Sequence, residues 1–110
     1  MSELKWYKVL SADEASRRIP KGSLQLVRLG EQRICIANSN GGYAAISDTC
    51  PHRGASLSQG SINFLNEIIC PLHGYRYNLE NGRECEQRTE DLDVYKIELR
   101  ENGLFLGVFR

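Results

Sequence analysis

Two short stretches of this chain carry a cysteine and a histidine close together: residues 50–55 read Cys-Pro-His-Arg-Gly-Ala, and residues 70–75 read Cys-Pro-Leu-His-Gly-Tyr. The seventeen residues between the two pairs, 53–69, are enough chain to bring the pairs together in space. The pattern therefore predicts a four-ligand metal site made of Cys50, His52, Cys70 and His73. Two thiolates and two imidazoles suit either a tetrahedral zinc ion or a 2Fe-2S cluster with one iron on cysteine and the other on histidine.

The spacing of the first pair argues against zinc. Structural zinc ligands are usually two to four residues apart, whereas one residue separates Cys50 from His52. A zinc-binding module stays the lesser alternative, and visible absorption separates the two because zinc is colourless.

Composition narrows the class of protein. With 110 residues, of which 41% are hydrophobic, we expect one domain over residues 1–110. The formal net charge is zero, which argues against binding to nucleic acid. No apolar run approaches the roughly 20 residues that span a bilayer, and residues 1–5 are not of signal-peptide type, so we expect a soluble cytoplasmic protein with no membrane association.

Short apolar runs separated by turn signals favour an all-β fold, an antiparallel sandwich or small barrel. Ser11 and Glu14 have the spacing of a helix capping box, and Asn102-Gly103 is a strong hairpin signal. The loops 49–57 and 70–77 are expected side by side at one end of this framework. The predicted strands are 5–10, 23–29, 33–37, 43–47, 61–64, 67–69, 75–77, 94–100 and 104–109.

The two stretches resemble those of the Rieske family of iron-sulfur proteins. Beyond the four ligand-type residues, the resemblance extends to residues 53–55, Arg-Gly-Ala, and to residues 74–77, Gly-Tyr-Arg-Tyr. It implies a three-sheet Rieske fold with a small cluster-binding subdomain at about residues 46–80. It also implies a 2Fe-2S cluster, one per chain, with Cys50 and Cys70 on the inner iron and His52 and His73 on the outer iron. The implied function is one-electron transfer, with no catalytic residues in the chain itself.

The chain departs from the Rieske proteins of cytochrome bc complexes, which resemble it in the ligand pattern. Ala55 and Leu72 stand where those proteins have two bridging cysteines, and Tyr75 stands where they have a serine that donates to a sulfide. Tyr77 matches the tyrosine that hydrogen-bonds a cysteine ligand. Two histidine ligands raise the potential above that of an all-cysteine cluster, and these departures place it toward the low end of the Rieske range, roughly minus 150 to zero mV.

Two functions within this family fit the sequence, a ferredoxin and a reductase subunit, whereas a complete oxygenase does not. A complete Rieske oxygenase also needs a mononuclear iron held by two further histidines and a carboxylate, and this chain has only two histidines. We therefore predict a ferredoxin that passes electrons from a flavin-dependent reductase to a terminal oxygenase on another chain. The alternative is the small Rieske-like subunit of an assimilatory nitrite reductase.

Residues outside the ligand set have less specific interpretations. Cys35, within the apolar run 34–37, is expected to be a buried core thiol, and Cys85 a free thiol without a role. Residues 80–93 carry a net charge of about minus four and are interpreted as a solvated loop, with a docking patch for a basic partner as the alternative. Arg53 and Arg76 are candidates for partner recognition.

Overall fold

A computed structural model of the protein describes residues 3–72 and 74–109. Over that part of the chain, nine strands, one α-helix and one 3-10 turn follow one another closely, at nearly the positions that the sequence predicts. In chain order they are β1 (Leu4–Leu10), α1 (Ala12–Arg18), β2 (Leu24–Leu29), β3 (Gln32–Ser39), β4 (Gly42–Ser47), a 3-10 turn (Leu57–Gln59), β5 (Ser61–Ile62), β6 (Glu67–Ile69), β7 (Arg76–Asn78), β8 (Val94–Arg100) and β9 (Gly103–Phe109).

The strands form two antiparallel sheets. Six of them pair in the order β1-β9-β8-β4-β3-β2, and the other three pair as β5-β6-β7. The larger sheet is continuous only because β4 and β8 join through two residue pairs, Ala45 with Tyr95 and Ile46 with Val94. The resemblance implied three sheets, so this short pairing merges two of them into one curled sheet. The all-β class is confirmed.

Local sequence signals explain the first connection. The Ser11 hydroxyl accepts a hydrogen bond from the backbone N–H of Glu14 at 3.1 Å, and the Glu14 carboxylate accepts one from the backbone N–H of Ser11 at 3.2 Å. This capping box starts α1 where the spacing predicted it. The helix then buries Ala15, and Ile19 at its end, in a core shared with β3, β4 and β9.

The last hairpin turns one residue earlier than predicted. Residues 101 and 102 form the turn, and Gly103 is already paired with Arg100 in the sheet. A Cβ on Gly103 would lie 2.6 Å from the carbonyl oxygen of Leu10. Gly103 is therefore needed because β1 passes close to it, in addition to any role in the turn.

A second core lies beneath the two predicted ligand loops. It joins the inner ends of both loops to the main sheet and to the stretch that follows β7, with buried Cys35, Ala37, Ile46, Cys50, Leu57, Ile68, Cys70, Tyr77, Leu79 and Leu92 as its members. Leu92 lies beyond the subdomain bounds of about 46–80, and its backbone N–H donates to Gly82 at 2.8 Å. Residues 82–92 thus pack onto the loops, while the single domain over 1–110 stays a prediction. Within residues 3–72 and 74–109, no helix is long and apolar enough to cross a membrane.

Candidate metal centre

The two ligand loops share one backbone design. The backbone N–H of Cys50 donates to the carbonyl oxygen of Ala55 at 2.9 Å, and that of Cys70 donates to Tyr75 at 2.8 Å, five residues on in both cases. Gly54 and Gly74 have positive φ angles of 73° and 69°. An added Cβ at either glycine would meet no described atom within 4 Å, so the left-handed backbone and not crowding requires glycine there. The loops therefore place the two cysteines equivalently.

The Cys50 sulfur is held by several hydrogen bonds. It lies 3.4 Å from the Tyr77 hydroxyl oxygen, which confirms the role predicted for Tyr77, and the backbone N–H groups of His52 and Arg53 point at it. Burial raises the pKa of this thiol, but these hydrogen bonds, with one from Cys70, outweigh burial and leave its pKa below the ordinary value. The site thus favours a thiolate at Cys50.

The Cys70 sulfur meets a different environment. Burial raises the pKa of its thiol, the neighbouring Cys50 sulfur raises it further, and the backbone N–H of Leu72 opposes both effects only in part. Both cysteines are about 1% exposed and neither forms a disulfide. Two buried sulfurs in contact cannot both ionise cheaply unless a cation lies between or beside them. The donor set therefore fits a group that supplies positive charge to two thiolates.

His52 lies two residues after Cys50 in the first loop. Its ring is half-buried and stacks on the ring of Tyr75, with centroids 4.0 Å apart and planes within 10°. Tyr75, which replaces the serine of the high-potential Rieske proteins, thus contacts a predicted ligand. His73 lies outside the described residues, so its ligand role stays a prediction.

Sequence reasoning missed a buried carboxylate behind the first loop. Asp48 is fully buried and accepts hydrogen bonds from the Ser58 backbone N–H at 2.8 Å, from the Ser56 hydroxyl, and from the Arg33 guanidinium at 3.3 Å. Burial raises the pKa of Asp48, but the bonds from Ser56, Ser58 and Arg33 outweigh it and hold the pKa below its usual range. Asp48 therefore remains charged and organises the return of the chain after the first loop.

A second buried carboxylate lies in the acidic stretch. Glu84 has no exposed surface, so the interpretation of residues 80–93 as solvated is wrong for this residue. It accepts from the Arg88 Nε at 3.0 Å and from the Arg88 Nη2 at 2.9 Å, and these bonds lower the pKa of Glu84 far below its ordinary value. Only the opposite charge four residues later hints at this pair in the sequence.

The same stretch touches the predicted centre at two places. The Arg88 guanidinium lies 3.8 Å from the centroid of the Tyr75 ring, and the Thr89 hydroxyl donates to the Tyr77 hydroxyl oxygen at 3.2 Å. Neither Arg88 nor Thr89 belongs to a motif of the family, so the sequence pattern does not single them out. They are brought to the centre by the turn that Glu84 anchors.

Cys35, Arg53 and Arg76 were also singled out in the sequence. Cys35 is buried, as predicted, and burial raises the pKa of its thiol to about 12. Arg53 is exposed, whereas Arg76 is paired with Glu67 at 3.3 Å. Glu84, Cys85 and Glu86 also lie close enough to share an ion, but Arg88 already pairs with both carboxylates, so this group makes a poor second centre.

Comparison with known proteins places the chain in a family. The model of the Rieske [2Fe-2S] domain matches residues 5–96. The 3-phenylpropionate/cinnamic acid dioxygenase ferredoxin subunit of Escherichia coli K12 is 31% identical over 76 residues, which cover 68% of this chain and 72% of that protein.

Two solved structures show the same fold. A chain of a complex of reduced oxygenase and oxidised ferredoxin in carbazole 1,9a-dioxygenase is 28% identical, with a TM-score of 0.77, and the match covers 91% of this chain and 99% of that chain. A putative NADH-dependent nitrite reductase small subunit from Mycobacterium tuberculosis has a TM-score of 0.81 at 16% identity, covering 96% of both chains, a likeness of fold alone.

The family model covers most of the chain, and the buried cysteine pair, the tyrosine on Cys50 and the matched loops agree with it. The family's cofactor is a 2Fe-2S cluster, which agrees with the donor set and removes the case for zinc. This chain belongs to the Rieske [2Fe-2S] family.

Proposed function

We propose that this protein is a one-electron carrier that receives electrons from a flavin-dependent reductase and passes them to a terminal oxygenase. It acts in the cytoplasm and catalyses no reaction by itself. The observation that carries the proposal is the pair of matched loops, which buries two thiols within hydrogen-bonding distance of each other. The chain has two histidines in all, both within these loops, so a further iron site of the oxygenase type has no histidines left.

The proposed ligands are Cys50, His52, Cys70 and His73. When bound, a 2Fe-2S cluster with this ligand set accepts and releases one electron. The residues around Cys50 stabilise negative charge on its sulfur, because a hydroxyl and two amide N–H groups point at it. Pro51 and Leu72 are exposed next to the cysteines, so their loops reach the surface while the sulfurs stay dry.

The relatives support the oxygenase partner. One is named as the ferredoxin subunit of a dioxygenase, and another structure is described as a complex of an oxygenase with a ferredoxin. Both have a higher sequence identity to this chain, 31% and 28%, than the nitrite reductase subunit, whose 16% identity supports the fold alone. Because of this difference in sequence identity, we propose a terminal oxygenase as the partner and not a nitrite reductase.

The decisive experiment is the electron paramagnetic resonance spectrum of the dithionite-reduced protein. We expect a rhombic signal with a low average g value, the mark of mixed cysteine and histidine ligation. His52→Cys and His73→Cys are each expected to lower the potential or to lose the cluster. Unchanged redox behaviour in both variants would remove the ligand assignment.

Partner assignment needs a separate measurement. The reduced protein is expected to reoxidise rapidly with a Rieske oxygenase and its aromatic substrate under air, and to be re-reduced by a flavin reductase and NADH. Co-purification with a sirohaem enzyme, and no transfer to an oxygenase, would favour the nitrite reductase alternative.

A further inference from the structure

We propose that Arg88, held in place by Glu84, is a positioning residue for the predicted ligand His52 and acts through the ring of Tyr75. The inference rests on the proposed ligand set and goes beyond it, because Arg88 lies outside both ligand loops. Its basis is a layered contact of three flat groups next to the centre.

The three groups lie on top of one another. The His52 imidazole and the Tyr75 ring are nearly parallel at 4.0 Å, and the Arg88 guanidinium lies 3.8 Å from the centroid of the same tyrosine ring. A guanidinium over a tyrosine ring is attracted by the negative face of the ring. The tyrosine ring is thus in contact with a predicted ligand and with a cation.

Arg88 is unusually well fixed for a surface arginine. Its side chain is 40% exposed, yet its Nε and Nη2 bind the two carboxylate oxygens of Glu84, which is fully buried. The Glu84 carboxylate also accepts from the backbone N–H of Arg88 at 2.7 Å and from that of Glu86 at 3.2 Å. A two-point pair with a buried partner sets the plane of the guanidinium, which a lysine at this position could not do.

Stacking on Tyr75 restricts the rotation of the His52 ring. A side chain that is held by backbone on one loop alone can rotate about its own bonds, whereas a ring stacked on a fixed neighbour cannot do so without losing the contact. Tyr75 is part of the second loop, so the stack also ties His52 of the first loop to the second. Arg88 therefore stabilises the orientation in which His52 is a ligand.

The test is a comparison of single and double variants of the cluster-loaded protein. Arg88→Ala is expected to widen the spread of histidine nitrogen couplings in pulsed electron paramagnetic resonance. It is also expected to lower the equilibrium constant for reduction at least threefold, because it removes a positive charge from the site. Threefold is about 28 mV for one electron, since tenfold is 59 mV.

Arg88→Lys separates position from charge. It keeps the positive charge but loses the two-point pair, so the nitrogen couplings are expected to stay spread while the potential partly recovers. Full recovery of the couplings by lysine would overturn the proposal, since charge alone would then suffice. Arg83→Ala removes the same charge from an exposed position of the same segment and serves as the matched control.

A double variant tests whether the effect passes through Tyr75. If it does, Arg88→Ala has no further effect on the couplings in a Tyr75→Leu background. Simple addition of the two effects would overturn the proposal, as would an Arg88→Ala protein with full cluster content and the couplings and potential of the parent. Failure of the proposed ligand set is distinguishable, because the parent protein itself would then show no Rieske spectrum, and failure of the proposed partner would leave the couplings and potentials of this comparison unchanged.

Discussion

The two ligand loops have the same backbone but are supported differently. Each closes with a hydrogen bond from its cysteine to the fifth residue after it, and each contains a glycine with positive φ. The first loop is held by Asp48, which lies directly before it in the chain, whereas the second is contacted by a stretch anchored on Glu84. These are the two fully buried carboxylates of the described residues.

The difference shows how two similar stretches acquire different chemistry. The Cys50 sulfur receives the Tyr77 hydroxyl from β7 and two amides, and its pKa is lowered, while burial raises the pKa of Cys70. The asymmetry comes from the Tyr77 hydroxyl and from two amides of the first loop, those of His52 and Arg53, and not from the cysteine and glycine positions that the loops share. Four measurements test it.

The largest expected effect comes from Asp48→Ala. The substitution leaves the Ser58 backbone N–H and the Ser56 hydroxyl without their charged acceptor, so we expect a loss of about 3 kcal/mol in the free energy of unfolding. Urea unfolding followed by circular dichroism measures it. Asp91→Asn, at an exposed position, is the control, and an equal effect of both substitutions would show that Asp48 does not support the loop.

Gly54→Ala and Gly74→Ala test whether the loops are equivalent. Each places a Cβ in the left-handed region, with no described atom nearby, so both should cost about 1 to 2 kcal/mol and by similar amounts. Gly22→Ala gives the same backbone cost at a distant turn, because Gly22 has a φ of 89° and equally open surroundings. A much larger loss at either loop glycine, measured by urea unfolding, would show a constraint there beyond the backbone.

The stability that Glu84 contributes to the fold is expected to depend on pH. Because Arg88 lowers the pKa of Glu84 in the folded protein, the unfolded chain binds more protons as pH falls, and folding loses stability. The stabilisation that the Glu84 carboxylate contributes is complete above the pKa of a glutamate in the unfolded chain, about 4.3. Below that pH the stabilisation decreases by at most about 1.4 kcal/mol per pH unit.

The measurement is the difference in urea midpoint between the parent protein and Glu84→Gln. We expect this difference to stay constant from pH 6 to about pH 5 and to shrink from there to pH 3.5. Glu90→Gln, an exposed neighbour, should show no such trend. A pH-independent difference would mean that the Glu84 charge does not stabilise the fold.

The smallest effect is expected for Tyr77→Phe. Loss of the hydroxyl removes one hydrogen bond to the Cys50 sulfur, worth about 1 kcal/mol, and so lowers the equilibrium constant for reduction several-fold. Voltammetry measures the shift in potential. Tyr43→Phe, whose hydroxyl bonds the helix α1 instead, should leave the potential unchanged.

Most of the strand order was predictable from the sequence. Turn signals bounded the runs that became β1 to β9, and the capping box at Ser11 formed as its spacing required, because these signals act over a few residues. The β8–β9 turn was predicted one residue late, since the contact of Gly103 with Leu10 depends on strand pairing far away in the chain. The pairing of β4 with β8 could not be predicted from local sequence signals either.

The candidate centre also has features that the sequence predicts and features that it does not. The cysteine-histidine spacing, the two glycines and Tyr77 were readable, because a ligand pattern needs particular residue types at particular separations. Glu84 was interpreted as solvated but is buried. Its one sequence sign of a partner, the opposite charge of Arg88 four residues later, does not by itself predict burial.

The residue pattern was enough to identify the kind of centre and the all-β framework around it. The contacts of Arg88 with Tyr75 and of Tyr75 with His52 became visible only in the folded chain, as did the support of one loop each by Asp48 and Glu84. The physical reason is range: backbone conformation and ligand chemistry are properties of a few neighbouring residues. Burial and the pairing of charges depend instead on which distant segments meet.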